Sequence, residues 1–123
     1  MPNIVRIPSE LPFPFSRAVR AGGFIYLSGQ IPVDAQGKPV HGSIADQTRL
    51  VLDRIAASLA VCGAGMVDVV KVTVWLSDLA LFGQFNEVYR EYFETAALPA
   101  RSTVCAALAF DVDIEIEVVA YRP

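Results

Sequence analysis

The end of the chain carries the pattern that most constrains the fold, because every second side chain there is apolar. A period of two is that of a β-strand, whose successive side chains point to opposite faces of the sheet. One face consists of Val112, Ile114, Ile116, Val118 and Ala120, and the other of Asp113, Glu115, Glu117, Val119 and Tyr121. The first face must lie against a hydrophobic core. The second mixes acids with apolar groups, as a subunit interface that contains a site would.

Four further segments have the composition of strands. Residues 17–21 and 24–28 flank the turn pair at 22–23 and are predicted to form a hairpin. Residues 69–76 and 102–108 are predicted to form two more strands. In residues 69–76, one face is predicted to carry Val70, Val72, Val74 and Leu76, and the other Lys71, Thr73 and Trp75.

Two segments have helical periodicity. The first begins at Ser43, an N-cap candidate with Asp46 three residues on, and is predicted to end at Gly63. The second begins at Ser77 or Asp78. The apolar positions are Ile44, Thr48, Val51, Leu52, Ile55, Leu59 and Cys62 in the first helix, and Leu79, Phe82, Phe85, Val88, Tyr89, Tyr92 and Phe93 in the second.

The predicted elements follow the order β-β-α-β-α-β-β, with no repeat, linker or low-complexity stretch in residues 1–123. This order predicts a single α+β domain, with a mostly antiparallel sheet and both helices on one of its faces.

The composition adds an expectation about assembly. Hydrophobic residues make up 54% of the chain, and the mean hydropathy of +0.44 is high for a small soluble protein. No apolar run reaches the roughly 18–20 residues that span a bilayer, and residues 1–6 lack the pattern of a signal peptide. We therefore expect a cytoplasmic protein without a membrane partner, whose excess apolar surface is buried between subunits.

Charge and cysteine content narrow the function classes. The net charge is −3, and the ten lysines and arginines form no basic stripe, so nucleic acid is not an expected partner. Two cysteines provide neither a metal site nor a disulfide framework. Cys62 and Cys105 both lie in apolar sequence, and we expect reduced, partly buried thiols.

The usual catalytic signatures are missing, which leaves an arginine and a carboxylate as candidates. The single histidine, His41, cannot build a metal site alone, and no metal or cofactor is expected. Arg101 opens a strand after a proline and could hold a small carboxylate through two hydrogen bonds, although a strand-edge ion pair explains it equally. Glu115 lies in mid-strand, where carboxylates are seldom buried unless paired or functional. It could also share a solvated face with Asp113 and Glu117.

Six segments, in the same order along the chain, resemble motifs of the RidA (YjgF) family. Each motif is short, but together they extend over nearly the whole chain. They are SGQIP at 28–32, QTRLVLDRI at 47–55, DVVKVTV at 68–74, FNEVYREYF at 85–93, PARSTV at 99–104 and IEIE at 114–117.

The resemblance implies a chorismate-mutase-like fold and a homotrimer with active sites between subunits. It implies hydrolysis of reactive enamines and imines, of the 2-aminoacrylate and 2-iminopropanoate type, to 2-oxo acids and ammonia without a cofactor. Arg101 matches the residue that holds the substrate carboxylate, and Glu115 the acid that positions or activates water. The remaining positions implied to contact substrate are Ser28 and Asn86 in the cleft and the backbone at Gly29 and Thr103.

The sequence departs from the family pattern at several positions. Phe15 stands where many members have a tyrosine, and it is the remaining substrate-contact candidate. Arg17 stands where a glutamine is common and could add positive charge near the cleft or face solvent. Arg54 lies where an asparagine is common, and Thr103 where some members have cysteine.

These departures leave three alternatives open. The first is a non-catalytic trimer that binds or senses a small carboxylate. The second is an endoribonuclease, which the acidic composition disfavours. The third is a specialised deaminase that acts on another enamine.

Overall fold

The computed structural model describes residues 4–123. Residues 1–3, which belong to the predicted domain and to the segment compared with a signal peptide, lie outside that range. The strands are β1 (Ile4–Pro8), β2 (Ser16–Ala21), β3 (Phe24–Leu27), β4 (Val69–Leu76), β5 (Ala100–Cys105) and β6 (Ile114–Tyr121). The helices are α1 (Ile44–Val61) and α2 (Phe82–Arg90).

The strands form one six-stranded sheet in the order β1-β2-β3-β6-β4-β5, and this confirms the predicted α+β class. All neighbouring pairs are antiparallel except β4 and β5, which are parallel because α2 connects them. Both helices contribute to the single core on one sheet face. Within residues 4–123, no helix has the length and apolar content needed to cross a membrane.

The first helix has the predicted ends. The Ser43 side chain accepts a hydrogen bond from the Asp46 N–H at 3.1 Å, so it caps the helix N-terminus. At the other end, Gly63 has a φ of +77°, which favours glycine. The N–H groups of Gly63 and Ala64 donate to the carbonyls of Ala60 and Leu59, a Schellman motif that satisfies two helix-terminal carbonyls.

The alternation in β6 is confirmed, since all five residues of its predicted apolar face are buried. The corresponding prediction for β4 is wrong at Val70, which is exposed. The pairing of β4 with β6 shifts between Val69 and Lys71, so Val69 takes the buried position and the side chain of Val70 points outward.

Four other expectations are corrected. Strand β1 is not predicted because its side chains are mostly exposed on both faces, which removes the alternation that marks a half-buried strand. The second helix is shorter than predicted, since Asp78 caps only a short 3-10 turn that precedes α2. Leu79 and Phe82 are consequently exposed. Strand β5 begins and ends earlier than predicted, and Cys105 is exposed because β5 is an edge strand.

A buried hydrogen-bond network joins α1 to the start of β6. The Gln47 side chain is fully buried. Its amide donates to Asp113 Oδ2 at 2.9 Å and to the Gly42 carbonyl at 3.0 Å, and its carbonyl accepts from the Asp113 N–H at 2.9 Å. The Ser77 hydroxyl donates to Asp113 Oδ1 at 2.6 Å. The network therefore holds the chain at Asp113, immediately before β6 and two residues before Glu115.

Replacing Gln47 with leucine tests the strength of this network. Gln47→Leu leaves the Asp113 N–H and one of its carboxylate oxygens without their partner in a buried region. We expect the free energy of unfolding to fall by about 2–4 kcal/mol, measured by urea denaturation. Gln84→Leu, at an exposed position of α2, is the matched control and should change it by less than about 0.5 kcal/mol. Equal effects in the two variants would contradict a structural role for Gln47.

Candidate functional site

Glu115 lies on β6, an interior strand of the sheet. It follows Ile114 and precedes Ile116, both fully buried, so its side chain must point to the face opposite the helices. Trp75 of β4 lies beside it in the sheet. The Glu115 side chain is half-buried, and burial raises the pKa of its carboxyl above that of an ordinary glutamate. The negative charge of Glu117 raises the Glu115 pKa further.

Gly29 lies directly against this carboxylate. The chain beyond β3 remains paired with β6, because Gln30 and Ile116 exchange backbone hydrogen bonds of 2.8 and 3.0 Å. This pairing brings the Gly29 backbone so close to Glu115 that a Cβ at position 29 would overlap the carboxylate oxygen Oε2. A side chain at position 29 would therefore displace the Glu115 carboxyl from its present place, and glycine allows the close approach.

A cavity of about 430 Å³ opens beside Gly29 and Glu115. Its size falls in the range of about 300–1,000 Å³ that is typical of small-molecule sites. The polar or charged side chains around it are Ser9, Glu10, Arg17, Gln30, Arg54 and Glu115. Large apolar side chains complete the wall, namely Leu11, Phe13, Phe15, Ile31, Val33 and Phe110. A carboxyl with a raised pKa in such a cavity can hold a water molecule and exchange a proton with it.

The aromatic part of the wall comes from two loops. Phe13 and Phe15 precede β2 and stack with ring centroids 6.1 Å apart. Phe110 lies 6.5 Å from Phe13 and has a left-handed backbone, with a φ of 58°; the φ of Asp111 is 60°. His41 Nε2 is 2.9 Å from the Phe110 carbonyl oxygen. The histidine thus contacts the loop that carries the wall and lies outside the cavity lining.

Arg17 and Arg54 bring positive charge to the cavity. Arg17, on β2, donates from Nε to the Ser58 hydroxyl of α1 at 2.8 Å. Arg54, on α1, donates from Nε to the Gln30 side-chain carbonyl at 3.3 Å. Of the two alternatives for Arg17, the structure supports a position at the cleft, since its side chain is 23% exposed. The one sequence signal that α1 contributes a cavity residue is the arginine at position 54, where the family commonly has an asparagine.

Arg101 lies elsewhere in the subunit. It pairs with the buried Val72, on the helix face of β5. Its guanidinium carbon lies 5.6, 5.3 and 4.7 Å from the ring centroids of Phe82, Phe85 and Tyr89. These rings of α2 hold the guanidinium through cation–π contacts. Arg101 and Glu115 therefore lie on opposite faces of the sheet, and Arg101 does not line the cavity.

The other residues predicted to contact substrate are also divided between the cavity beside Glu115 and the elements that hold Arg101. Phe15 and Gly29 line the cavity with Glu115. The Ser28 hydroxyl donates to the Ser16 carbonyl at 2.6 Å, so it supports the loop before β2. Thr103 is half-buried on β5, beside Val74, and Asn86 is half-buried on α2. These two lie on the elements that hold Arg101. Within residues 4–123, no three His, Cys, Asp or Glu side chains are grouped so that they could hold a metal ion.

The sequence is similar to proteins of one family. The family model described as endoribonuclease L-PSP matches residues 9–122. A RutC family protein of Pyrococcus horikoshii is 49% identical over 111 residues, which cover 89% of this chain and 87% of that protein. The reactive intermediate deaminase TdcF of Escherichia coli, so named as a provisional assignment, is 38% identical over 89% of this chain and 87% of TdcF.

Solved structures give the same result. Yeast Mmf1 superposes with a TM-score of 0.89 at 36% identity, over 98% of this chain and all of the Mmf1 chain (100%). The structure of Escherichia coli TdcF with bound serine superposes with a TM-score of 0.85 at 38% identity, over 96% of this chain and 94% of that chain. The similarity therefore includes the whole sheet and both helices.

The raised pKa of Glu115 predicts a measurable effect on stability. Because the folded chain binds the carboxyl proton more tightly than the unfolded chain, the stability that depends on this group is greatest at low pH. It is lost as the pH rises through the raised pKa. We expect Glu115→Gln, which stays neutral, to have a higher Tm than the wild type at pH 7. The difference should shrink as the pH falls through the raised pKa and should be absent below about 4, where the wild-type carboxyl is neutral in both the folded and the unfolded chain.

Glu117→Gln is the matched control, because this neighbouring side chain is exposed and only adds negative charge near Glu115. Its effect on Tm at pH 7 should have the same sign and be smaller. A lower Tm for Glu115→Gln at pH 7 would show that the ionised carboxylate stabilises the fold and would contradict the raised pKa.

Proposed function

The chain belongs to the YjgF/RidA family, and from this we propose that it is a deaminase that hydrolyses reactive 2-imino acids and their enamine tautomers to 2-oxo acids and ammonia. One observation carries the proposal: the half-buried Glu115 carboxyl faces a small-molecule cavity, with Gly29 packed against it. The substrates proposed are of the 2-iminopropanoate and 2-iminobutanoate type. The name of the relative TdcF supports the general activity.

The chemistry requires little beyond positioning. An enamine such as 2-aminoacrylate becomes electrophilic when it tautomerises to its imine. A water molecule held by Glu115 adds to the imine carbon, and Glu115 accepts a proton from that water. Glu115 passes that proton to the imine nitrogen, which gives the neutral carbinolamine. The carbinolamine hydroxyl then gives its proton to Glu115, which transfers it to the amino nitrogen as the C–N bond breaks, so that ammonia leaves and the carbonyl of the 2-oxo acid forms. Glu115 ends the cycle in its starting state.

Arg101 is proposed to bind the substrate carboxylate across a subunit interface. Since Arg101 and Glu115 lie on opposite faces of one sheet, they can act on one substrate only if they come from different copies of the chain. The aromatic rings of Phe24, Tyr26 and Tyr121 are exposed on the open side of the molecule, which supports burial in a homotrimer. Tyr89, beneath Arg101, has a buried hydroxyl without a partner among residues 4–123, as expected of an incomplete site.

Two observations favour alternatives. Phe15 has no hydroxyl, so a hydrogen bond that a tyrosine would make in the cavity is missing, and this favours a trimer that binds or senses small carboxylates without catalysis. The name of the matching family model favours an endoribonuclease, but the net charge of −3 does not suit a polyanionic substrate.

We propose a cytoplasmic location for this chain. The yeast relative MMF1 is named as mitochondrial.

Imine hydrolysis is the direct test of the deaminase. Imines generated in situ by an amino acid oxidase are trapped with semicarbazide, and the active protein should lower the semicarbazone yield. We expect Arg101→Ala to reduce kcat/KM at least about 100-fold, because it removes a bidentate charged contact with the carboxylate. Arg101→Lys should retain an intermediate activity, since the charge stays and the fork is lost. Glu115→Gln should reduce kcat about 100-fold or more.

Size-exclusion chromatography of each variant controls for assembly, and Arg90→Gln, at an exposed position of α2, serves as a variant with unchanged activity. Undiminished hydrolysis by Arg101→Ala would remove Arg101 from the site. If the wild type leaves every imine untouched and yet binds 2-oxo acids, the binding or sensing alternative replaces the enzyme.

Phe15→Tyr tests the departure from the family pattern. The added hydroxyl would project from the cavity wall and supply one hydrogen bond, worth about 1 kcal/mol. We expect kcat/KM for 2-iminopropanoate to change by up to about fivefold while Tm stays the same. An unchanged rate for every imine would show that position 15 has no contact with substrate.

A further inference from the structure

The cavity beside Glu115 has a cationic end whose charge is only weakly neutralised. Arg17 and Arg54 come from different elements, β2 and α1, and both line the same cavity. Two like charges in one cavity repel each other, and a bound anion would offset this repulsion. Burial lowers the pKa of Arg54, and the positive charge of Arg17 lowers it further. A guanidinium group nevertheless stays charged at neutral pH, since its ordinary pKa is so high.

The protein's own acids provide little compensation. Glu10 is the acid closest to Arg17, with a distance of 3.7 Å between Glu10 Oε1 and Arg17 Nη1. The Glu10 side chain is 84% exposed, and exposed ion pairs of this kind contribute little. Glu115, the other acid of the cavity, has a raised pKa because it is partly buried.

Both arginines are anchored in a way that leaves donors available. Each uses Nε for its internal hydrogen bond, Arg17 to Ser58 and Arg54 to Gln30. Among residues 4–123, the terminal nitrogens of Arg54 have no hydrogen-bond or ion-pair partner. This arrangement fixes the orientation of two guanidinium groups and leaves their terminal N–H groups for an anion, the geometry in which arginine binds carboxylates.

We propose that Arg17 and Arg54 bind a second carboxylate of the substrate, and that the preferred substrates are 2-imino dicarboxylates, such as the imines of glutamate and aspartate. This inference rests on the proposed imine hydrolysis and adds its substrate class. The side-chain carboxylate lies between the two arginines, and the imine carbon lies next to Glu115. The apolar wall formed by Phe13, Phe15 and Phe110 contacts the methylene groups between them.

The size of the cavity agrees with a longer substrate. A volume of about 430 Å³ lies within the range of sites for drug-sized ligands and exceeds what a three-carbon imine fills. The two arginines and Glu115 border one continuous cavity, so a single molecule can contact both ends.

The test compares imines that differ only in charge. Glutamate and glutamine give imines of nearly the same size, one with a side-chain carboxylate and one with an amide, and the alanine imine reports on hydrolysis without a long side chain. We expect wild-type kcat/KM to favour the glutamate imine over the glutamine imine by about 10- to 100-fold. In Arg17→Gln/Arg54→Gln, this ratio should fall to about 1.

Arg49→Gln is the matched control, because Arg49 lies on α1 as well but pairs with Glu91 outside the cavity. This variant should retain the wild-type ratio. Single variants Arg17→Gln and Arg54→Gln, checked by circular dichroism, guard against loss of folding in the double variant. A wild-type ratio near 1, or an equal loss of all three imines in the double variant, would overturn the proposal while imine hydrolysis by the wild type would still stand.

Binding provides a readout that does not depend on catalysis. Calorimetric titration should show that 2-oxoglutarate binds more tightly than 2-oxobutanoate, and that Arg17→Gln/Arg54→Gln removes the difference. If no imine is hydrolysed, the proposed deaminase fails, and this titration still decides whether the dicarboxylate site exists. Equal affinity for the two oxo acids would refute the site.

Discussion

The hydrogen bonds between Gln47 and Asp113 are the interaction on which the site depends most. They hold the first helix to the start of β6, and the register of β6 then determines where every following side chain points. A slip by one residue would place Ile114 and Ile116 on the open face and Glu115 in the core. A buried polar contact of this kind adds uniqueness to a core that is otherwise apolar.

The same strand carries core residues and the candidate site residue Glu115 because its period is two. Its even-numbered residues complete the core beneath the helices, while Glu115 faces the opposite side. The packing of the core residues on either side thereby holds the Glu115 carboxyl in a partly desolvated position, although desolvation disfavours its charged form. Gly29 follows β3, the strand next to β6, and its lack of a side chain leaves room for the Glu115 carboxylate.

Local patterns predicted most of the fold, and they failed where the cause was not local. The helix cap at Ser43 and the stop at Gly63 depend on neighbouring residues, and both are confirmed. Val70 was misplaced because a bulge depends on the partner strand, and β1 was missed because an exposed edge strand has no alternation. The strand position and the family resemblance select Glu115, and the structure places it in the cavity lining. Arg54 was not selected, since its place in the cavity depends on how α1 packs beside β2 and β3.

The loop at Phe110 and Asp111 has a consequence for how this protein can change over evolutionary time. Two consecutive residues with side chains occupy the left-handed region there, at a cost of about 1–2 kcal/mol each. Glycine would relieve this cost at either position, but at 110 it would also delete a ring from the cavity wall. The chain therefore gives up some conformational stability to keep that ring, and selection for heat tolerance alone would tend to change the shape of the cavity.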